Sequence, residues 1–204
     1  MPKIVDRNAR RLEIVEAATE VFARVGFADT KIEDIAERAG VAKGTVYQYF
    51  DSKAELFIAV CQNLVTWPPE AAPFLDDPFK GFEMLIHALA DSYERSRDFY
   101  VILLDYWAVL IRGQEPYRKY FLSMGETFYA HPRRLLMQVV QRGRERGVFK
   151  RSADPAVVAS LAIAGIEGLR TQHVQDPKHI DMKKCLTMLV KSLRDGLTSS
   201  GTVR

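Results

Sequence analysis

Apolar side chains recur at steps of three and four residues along most of the chain, and this spacing limits the fold more than any other feature. The first clear stripe lies in residues 8–25 and contains Leu12, Val15, Ala18, Phe22 and Val25. A helix that buries one face produces this pattern, whereas a strand shows alternation of apolar and polar residues. Such alternation is scarce in this chain. The sequence therefore predicts an all-α fold of about nine helices.

Short signals mark where the first four helices begin and end. Gly26 and Gly40 stand where a left-handed glycine ends a helix. The second and fourth helices open on capping boxes, in which a hydroxyl accepts from an amide three residues later and a glutamate reaches back. The residues of these boxes are Thr30 with Glu33 and Ser52 with Glu55. The third helix is expected over about residues 42–49, and the fourth extends to about Trp67.

A change of composition after the fourth helix divides the chain. Residues 68–78 hold Pro68, Pro69, Pro73 and Pro78 and few helix formers, which predicts a loop. Pro132 lies within a later helix, where its missing amide predicts a kink or a break after Ala130. We expect one domain over 1–53 and a second over 54–204, with the helix at 54–67 connecting them. The later helices are expected at 79–96, 98–112, 116–146, 155–173 and 179–197.

Residues 30–50, TKIEDIAERAGVAKGTVYQYF, form the most specific segment of the sequence. Two short helices joined by a glycine-containing turn make a helix-turn-helix, whose second helix enters the major groove of DNA. Val46 and Phe50 share one face at a four-residue step, so they are predicted to pack inward with Ile35. Phenol hydroxyls that then point outward can donate to phosphate. The outward residues are Lys43, Thr45, Tyr47, Gln48 and Tyr49.

The segment from Ala17 to Phe57 resembles the N-terminal domain of TetR-family repressors. The resemblance rests on four elements in order, FARVGF, TKIEDIAERAGV, KGTVYQYF and SKAELF, in a domain that covers roughly a quarter of the chain. Ala42 departs from the family pattern, which often has serine or threonine at the start of the recognition helix. The resemblance implies a N-terminal three-helix DNA-binding domain, a C-terminal helical domain that binds an effector and dimerises, and a homodimer on double-stranded DNA.

The resemblance also implies a role for each outward residue of this segment. Base edges are assigned to Lys43, Thr45 and Gln48, because Lys donates to guanine and Gln pairs with adenine. Contacts with phosphate are assigned to Thr30, Lys31, Tyr47, Tyr49 and Lys53. Gly44 is expected to allow a close approach of the backbone to DNA. A loose arm with Arg7, Arg10 and Arg11 is expected to reach flanking DNA. The alternative for Lys31 and Lys53 is a solvated surface, and part of the Tyr47 ring is expected to pack.

The second domain is rich in aromatic residues, and pockets for small ligands combine such rings with a few polar groups. The alternative for each ring is a place in the core. Asp105 interrupts the apolar run VILLDYWAVLI, and its carboxylate needs a partner such as an arginine, a tyrosine hydroxyl or a ligand cation. The predicted effector site consists of Phe82, Asp105, Tyr106, Trp107, Tyr120, Phe121, Phe128 and His173.

The last two predicted helices have the composition of a dimer interface. Leu186, Leu189, Val190, Leu193 and Leu197 form one stripe in residues 179–197. Residues 155–173 carry the small side chains that allow another helix to approach, namely Ala156, Ala159, Ala162, Ala164, Gly165 and Gly168. Two such helices from each subunit can form a four-helix bundle. Packing within one chain is the alternative.

Composition and missing motifs narrow the function further. Residues 1–53 carry nine basic and nine acidic side chains, so a DNA-binding face must arise from arrangement and not from bulk charge. The sequence contains no nucleophile elbow, P-loop, dinucleotide loop or metal-ligand spacing, so no enzyme, cofactor or metal is expected. Without a signal peptide or a membrane span, a cytoplasmic protein is expected. The sequence thus predicts a repressor that leaves a palindromic operator when a small apolar or amphipathic effector binds; the alternative is a helical adaptor or ligand-binding protein without DNA binding.

Overall fold

A computed structural model describes residues 6–64, 72–94, 97–112, 122 and 129–198. The described residues contain helices and no strand, which confirms the predicted all-α class. No helix among them is long and apolar enough to cross a membrane. The helices are α1 (Arg7–Asp29), α2 (Ile32–Arg38), α3 (Lys43–Tyr47), α4 (Lys53–Leu64), α5 (Ala72–Leu75), α6 (Pro78–Glu94), α7 (Arg97–Arg112), α8 (His131–Glu145), α9 (Pro155–Gln175) and α10 (Met182–Leu197).

These helices form two compact units that alternate along the sequence. Unit 1 contains the described parts of Met1–Thr66 and Tyr93–Thr127, and unit 2 those of Trp67–Ser92 and Phe128–Arg204. The helix α7 therefore belongs with α1–α4 in unit 1, where it packs against α1 and α4. These units, defined by contacts, differ from the expected domains 1–53 and 54–204. The assignment of DNA binding to the first of those domains and of effector binding to the second stays a prediction.

Three aromatic rings form the centre of unit 1. Phe57 of α4 meets Phe22 and Phe27 of α1 edge-on, with ring centroids 5.0 and 4.9 Å apart. All three side chains are buried. Each such ring pair stabilises the fold by about 0.5–1.5 kcal/mol beyond the free energy of burying its apolar surface. These contacts anchor α4 on α1.

The helix α1 starts and ends differently from the expected pattern. The Asp6 carboxylate accepts from the amide of Asn8 at 2.9 Å and caps the helix, which begins at Arg7. Arg7, Arg10 and Arg11 are thus helical, and the expected loose arm is wrong for them. At the other end Gly26 has φ 82° and ψ 165°, which confirms a positive φ but not the left-handed helical region, and one further turn follows to Asp29.

One capping box is confirmed in its serine half only, and the other is wrong. The amide of Glu55 donates to Ser52 Oγ at 3.1 Å, as predicted, although the Glu55 carboxylate reaches the amide of Asp51. By contrast, Thr30 does not cap α2. Its hydroxyl donates backwards to the Gly26 carbonyl at 2.6 Å, and α2 begins one residue later, after Lys31.

Unit 2 is built from α5, α6 and α8–α10. The short helix α5 lies inside the expected proline loop, so that stretch is not wholly irregular as predicted. The helix α8 starts after a π-helical pair at residues 129–130, with Pro132 in its first turn. Residues 123–128 lie outside the described ones, so the kink or break expected after Ala130 stays a prediction. The rings of Phe82 and Phe149 meet at 6.1 Å and are buried in this unit.

Packing between α9 and α10 corrects part of the expected dimer seam. A side-chain Cβ at Gly165 would lie 2.7 Å from Leu189 of the same chain, so this glycine serves the intrachain contact. Leu186, Val190 and Leu197 are likewise buried within unit 2. The apolar side chains that α9 and α10 leave exposed are others, including Val157, Leu161, Val174 and Met188.

Candidate nucleic-acid interface

The helix α3 is short and is held from one side. Val46 and Phe50 are both 1% exposed and fix the segment to the core of unit 1, as their spacing predicted. The helix covers Lys43–Tyr47, which is shorter than the expected span of 42–49, and Ala42 precedes it without a side-chain cap. Because both anchors point inward, the opposite face of α3 is turned to solvent.

The outward face carries the residues that the sequence assigned to DNA. Lys43, Gly44, Tyr47 and Gln48 are exposed, and Tyr47 keeps 46% of its surface despite its large ring. Thr45 and Tyr49 are half-buried. A Cβ at Gly44 would meet no described atom within 4 Å, so packing inside the chain does not require this glycine. A close approach of a DNA backbone is compatible with that open space.

The carboxylate of Glu33 on α2 forms an ion pair with Lys43, the cation of this face. Lys43 Nζ lies 2.6 Å from Glu33 Oε1, and both side chains are more than half exposed. The hydrogen bond with Lys43 lowers the pKa of Glu33, and the same hydrogen bond raises the pKa of Lys43. Sequence reasoning had placed Glu33 in a capping box and missed this pair. The Lys43 ammonium has three donors, so two of them remain beside this exposed pair.

Arginines of α1 extend the basic surface next to α3. The guanidinium of Arg7 lies 5.9 Å from the centre of the Tyr49 ring, and that of Arg11 lies 4.8 Å from the Phe50 ring. Contacts of this kind hold a cation near an aromatic face. Another pair joins α2 to α1, since Arg38 of α2 donates twice to the Glu20 carboxylate of α1 at 2.6 Å.

Two of the residues assigned to phosphate have internal partners. Thr30 is 2% exposed and bonded to Gly26, so its expected phosphate contact is corrected to a structural role. Lys53 is half-buried, and its ammonium donates to the carbonyls of Ala28 and Thr30 at 3.0 and 2.8 Å. Burial lowers the pKa of Lys53. An ammonium has three donors, so one remains for phosphate. Lys31 is exposed, and its contact with phosphate stays a prediction.

The predicted effector residues are distributed over both units. Asp105, Tyr106 and Trp107 belong to unit 1, Phe82 and His173 to unit 2, and Tyr120, Phe121 and Phe128 lie outside the described residues. The Asp105 carboxylate accepts from the amide of Phe27 at 2.7 Å, so its partner is none of the three that were expected. His173 Nδ1 lies 2.9 Å from the carbonyl oxygen of Ile180. Burial raises the pKa of Tyr106 to about 12.

A buried polar group in unit 2 was not among the predicted sites. Burial raises the pKa of Glu167, and the hydrogen bond with Tyr129 and the positive charge of Arg170 offset this rise only in part. Arg170 is itself 8% exposed, which is rare for an arginine. Both residues lie within the apolar helix α9, and that interruption is the signal by which the sequence could have identified them.

Two family descriptions match successive parts of the chain. Residues 14–60 match the bacterial regulatory proteins of the tetR family, and residues 81–198 match the C-terminal part of BetI-type transcriptional repressors. The second match alone covers more than half of the chain.

Individual relatives and solved structures point the same way. The transcriptional activator FasR of Mycolicibacterium smegmatis is 34% identical over 103 residues, 48% of this chain and 47% of FasR. The regulator RutR of Escherichia coli is 34% identical over 93 residues, 45% of this chain and 43% of RutR. The chain thus spans about half the length of these relatives. The fold is shared with NalD, a repressor of a multidrug efflux pump in Pseudomonas aeruginosa, at 24% identity and a TM-score of 0.73 over 95% of this chain and 98% of NalD.

Proposed function

We propose, because this chain belongs to the TetR family of transcriptional regulators, that it is a dimeric repressor of a palindromic operator. In this proposal α3 reads the operator, and a small apolar or amphipathic effector releases it. The single observation that carries the proposal is the solvent-facing side of α3, where Lys43, Tyr47 and Gln48 project from a helix anchored by Val46 and Phe50.

The chemistry of that face suits a major groove. Gln48 can form two hydrogen bonds with an adenine, and Lys43 can donate to the acceptors of a guanine. Tyr47 and Tyr49 flank these residues and can donate to phosphate, which positions the helix without reading sequence. The exposed Lys31 adds a further cation at the start of α2.

The proposal includes a homodimer formed through α9 and α10. Val157 and Leu161, four residues apart on α9, are each 54% exposed, and exposed Met188 lies on α10. Large apolar side chains exposed at helical spacing are characteristic of an interface. An inverted repeat would require the two α3 helices of such a dimer to lie about 34–36 Å apart, one turn of DNA, or a multiple of that distance.

The proposal also includes a small apolar or amphipathic effector, which aromatic and buried polar side chains would bind. In unit 2, Phe82 supplies an aromatic ring and Glu167 and Arg170 supply polar groups, the two kinds of side chain that small-ligand pockets combine. Tyr106 and Trp107 supply aromatic rings in unit 1. A ligand that favours release must bind the DNA-free protein more tightly, and operator DNA must weaken its binding by the same factor. Calorimetry with and without operator measures this reciprocity for any ligand found by thermal-shift screening.

Selection of genomic fragments by the purified protein tests the DNA-binding part. We expect enrichment of an inverted repeat, and a gel shift that is much weaker for a single half-site than for the full repeat. Lys43→Gln should weaken the shift, whereas Lys80→Gln, which removes the same charge from an exposed site of unit 2 outside α9 and α10, should not. Failure to enrich any sequence would instead support the alternative, an adaptor without DNA binding.

A further inference from the structure

The turn that leads into the helix-turn-helix is an irregular piece of α1. At Gly26 the backbone leaves the helical region for φ 82° and ψ 165°, a conformation that is strained for residues with a side chain. Residues 27–30 then form one separate turn. Thr30 closes it by donating from its amide and its hydroxyl to the Gly26 carbonyl, at 3.2 and 2.6 Å. The next residues are Lys31 and Ile32, where α2 begins.

Two helices that are distant along the chain form hydrogen bonds with the two ends of this turn. The amide of Phe27, first in the turn, donates to Asp105 Oδ2 of α7 at 2.7 Å. The carbonyls of Ala28 and Thr30 accept from the ammonium of Lys53 on α4. A carboxylate thus caps the amide end and an ammonium caps the carbonyl end, and hydrogen bonds to charged groups are about twice as strong as neutral ones.

The space around the carboxylate shows how closely α7 approaches the turn. A Cβ on Gly26 would lie 3.0 Å from Asp105 Oδ2, so any side chain there would crowd the contact. Glycine is therefore required at this position both by its backbone angles and by the nearness of Asp105. Thr30 and Ile32, which follow, are buried, so a displacement of the turn cannot be absorbed by loose surface residues.

We propose that Asp105 is a positioning residue for DNA recognition, which couples α7 to the start of the helix-turn-helix through the Phe27 amide. The inference rests on the proposed function as a DNA-binding regulator. In it the orientation of α2 depends on where α7 holds the turn. A bound operator, which fixes α2 and α3, then restrains α7, and a shift of α7 alters the DNA-reading surface by the same linkage.

Hydrogen exchange of the free protein tests the hydrogen bond of Asp105 itself. Asp105→Ala removes the acceptor, Asp105→Asn keeps a carbonyl acceptor of the same shape, and Leu104→Ala changes an adjacent side chain that is 52% exposed. Asp105→Ala should speed exchange of a peptide covering residues 27–32, while the other two variants stay near the wild type. Wild-type exchange in Asp105→Ala would overturn the inference whether or not the protein binds DNA.

Exchange with the selected operator duplex tests the coupling. In the wild type the duplex should slow exchange in residues 101–109 of α7, far along the chain from α3. Asp105→Ala should lose this protection and bind the duplex about tenfold more weakly, and Asp105→Asn should restore most of both. If Asp105→Ala does not fold, Asp105→Ser, whose shorter side chain withdraws the acceptor from the Phe27 amide, should reduce the protection of α7. Unchanged protection in the variant that lacks the Asp105 acceptor would overturn the coupling, whereas a wild type that binds no duplex would refute the proposed function instead.

Discussion

The exposed pair of Glu33 and Lys43 predicts that removal of an acid strengthens DNA binding. In the free protein the Glu33 carboxylate holds Lys43 Nζ at 2.6 Å, in front of the face that would meet the groove. Glu33→Gln leaves the lysine charge uncompensated and takes a negative charge away from the phosphates. We therefore expect the variant to bind all duplexes, specific and nonspecific, more tightly than the wild type.

The size of the effect follows from the number of such pairs. Each phosphate that a protein neutralises steepens the plot of log K against log salt by about 0.9. A dimer contains two Glu33–Lys43 pairs, so the variant should show a slope steeper by up to about 1.8. Between about 50 and 200 mM salt the advantage of the variant should then fall by up to about twelvefold.

Fluorescence anisotropy with an operator duplex and a scrambled duplex, over that salt range, measures both quantities. Glu16→Gln is the matched control, because it removes the same charge from an exposed site on α1. Identical slopes and affinities for the two variants would show that bulk charge, not the position of Glu33, decides binding. A weaker Glu33→Gln would refute the idea that Glu33 opposes DNA.

Further outcomes follow from other residues. Gln48→Ala should relax base preference at one position of each half-site by about 1–3 kcal/mol, whereas Tyr47→Phe should weaken all sequences alike; a binding-site selection separates the two. Leu161→Glu should yield folded monomers in analytical ultracentrifugation, whereas Leu104→Glu, a similarly exposed change in unit 1, should leave the dimer intact. Because burial raises the pKa of Glu167 above 4.5, the folded state keeps this proton longer than the unfolded state does. The stability of the wild type relative to Glu167→Gln should therefore fall as pH rises through the raised pKa, and urea unfolding from pH 4.5 upward measures the difference.

The parts of the fold that periodic spacing controls were predictable. The inward face of α3 followed from Val46 and Phe50 alone, because a four-residue step places two side chains on one face of a helix. The start of α2 was predicted one residue too early. Both Thr30 and Lys31 precede an acidic residue three positions later, and a local motif does not show which register wins. The irregular turn after Gly26 decides it, because there the Thr30 hydroxyl donates to the Gly26 carbonyl and does not accept from an amide of α2.

The contacts that complete the site could not be read from local sequence. Lys53 bonds to carbonyls 25 and 23 residues away, and Asp105 bonds to an amide 78 residues away. The position of Asp105 inside an apolar run indicates that its carboxylate needs a partner. Almost every residue has a backbone amide, so the sequence does not indicate which amide is that partner. For the same reason the sequence predicts a phosphate contact for Lys53 but not its hydrogen bonds to the carbonyls of Ala28 and Thr30.

In the proposed function, the placement of acids would allow a neutral domain to discriminate among DNA sequences. Several carboxylates of unit 1 are fixed by hydrogen bonds within the protein: Glu20 holds Arg38, Asp34 accepts from the amide of Lys31, and Glu33 holds Lys43. Nonspecific binding draws almost all of its free energy from cations that meet phosphate. A face whose main lysine is already paired gains little from phosphate alone, so contacts of Gln48 with base edges would contribute a larger share of the binding. The same pairing that weakens affinity for arbitrary DNA thus raises the ratio of specific to nonspecific binding, which is the quantity that matters among the many competing sites of a genome.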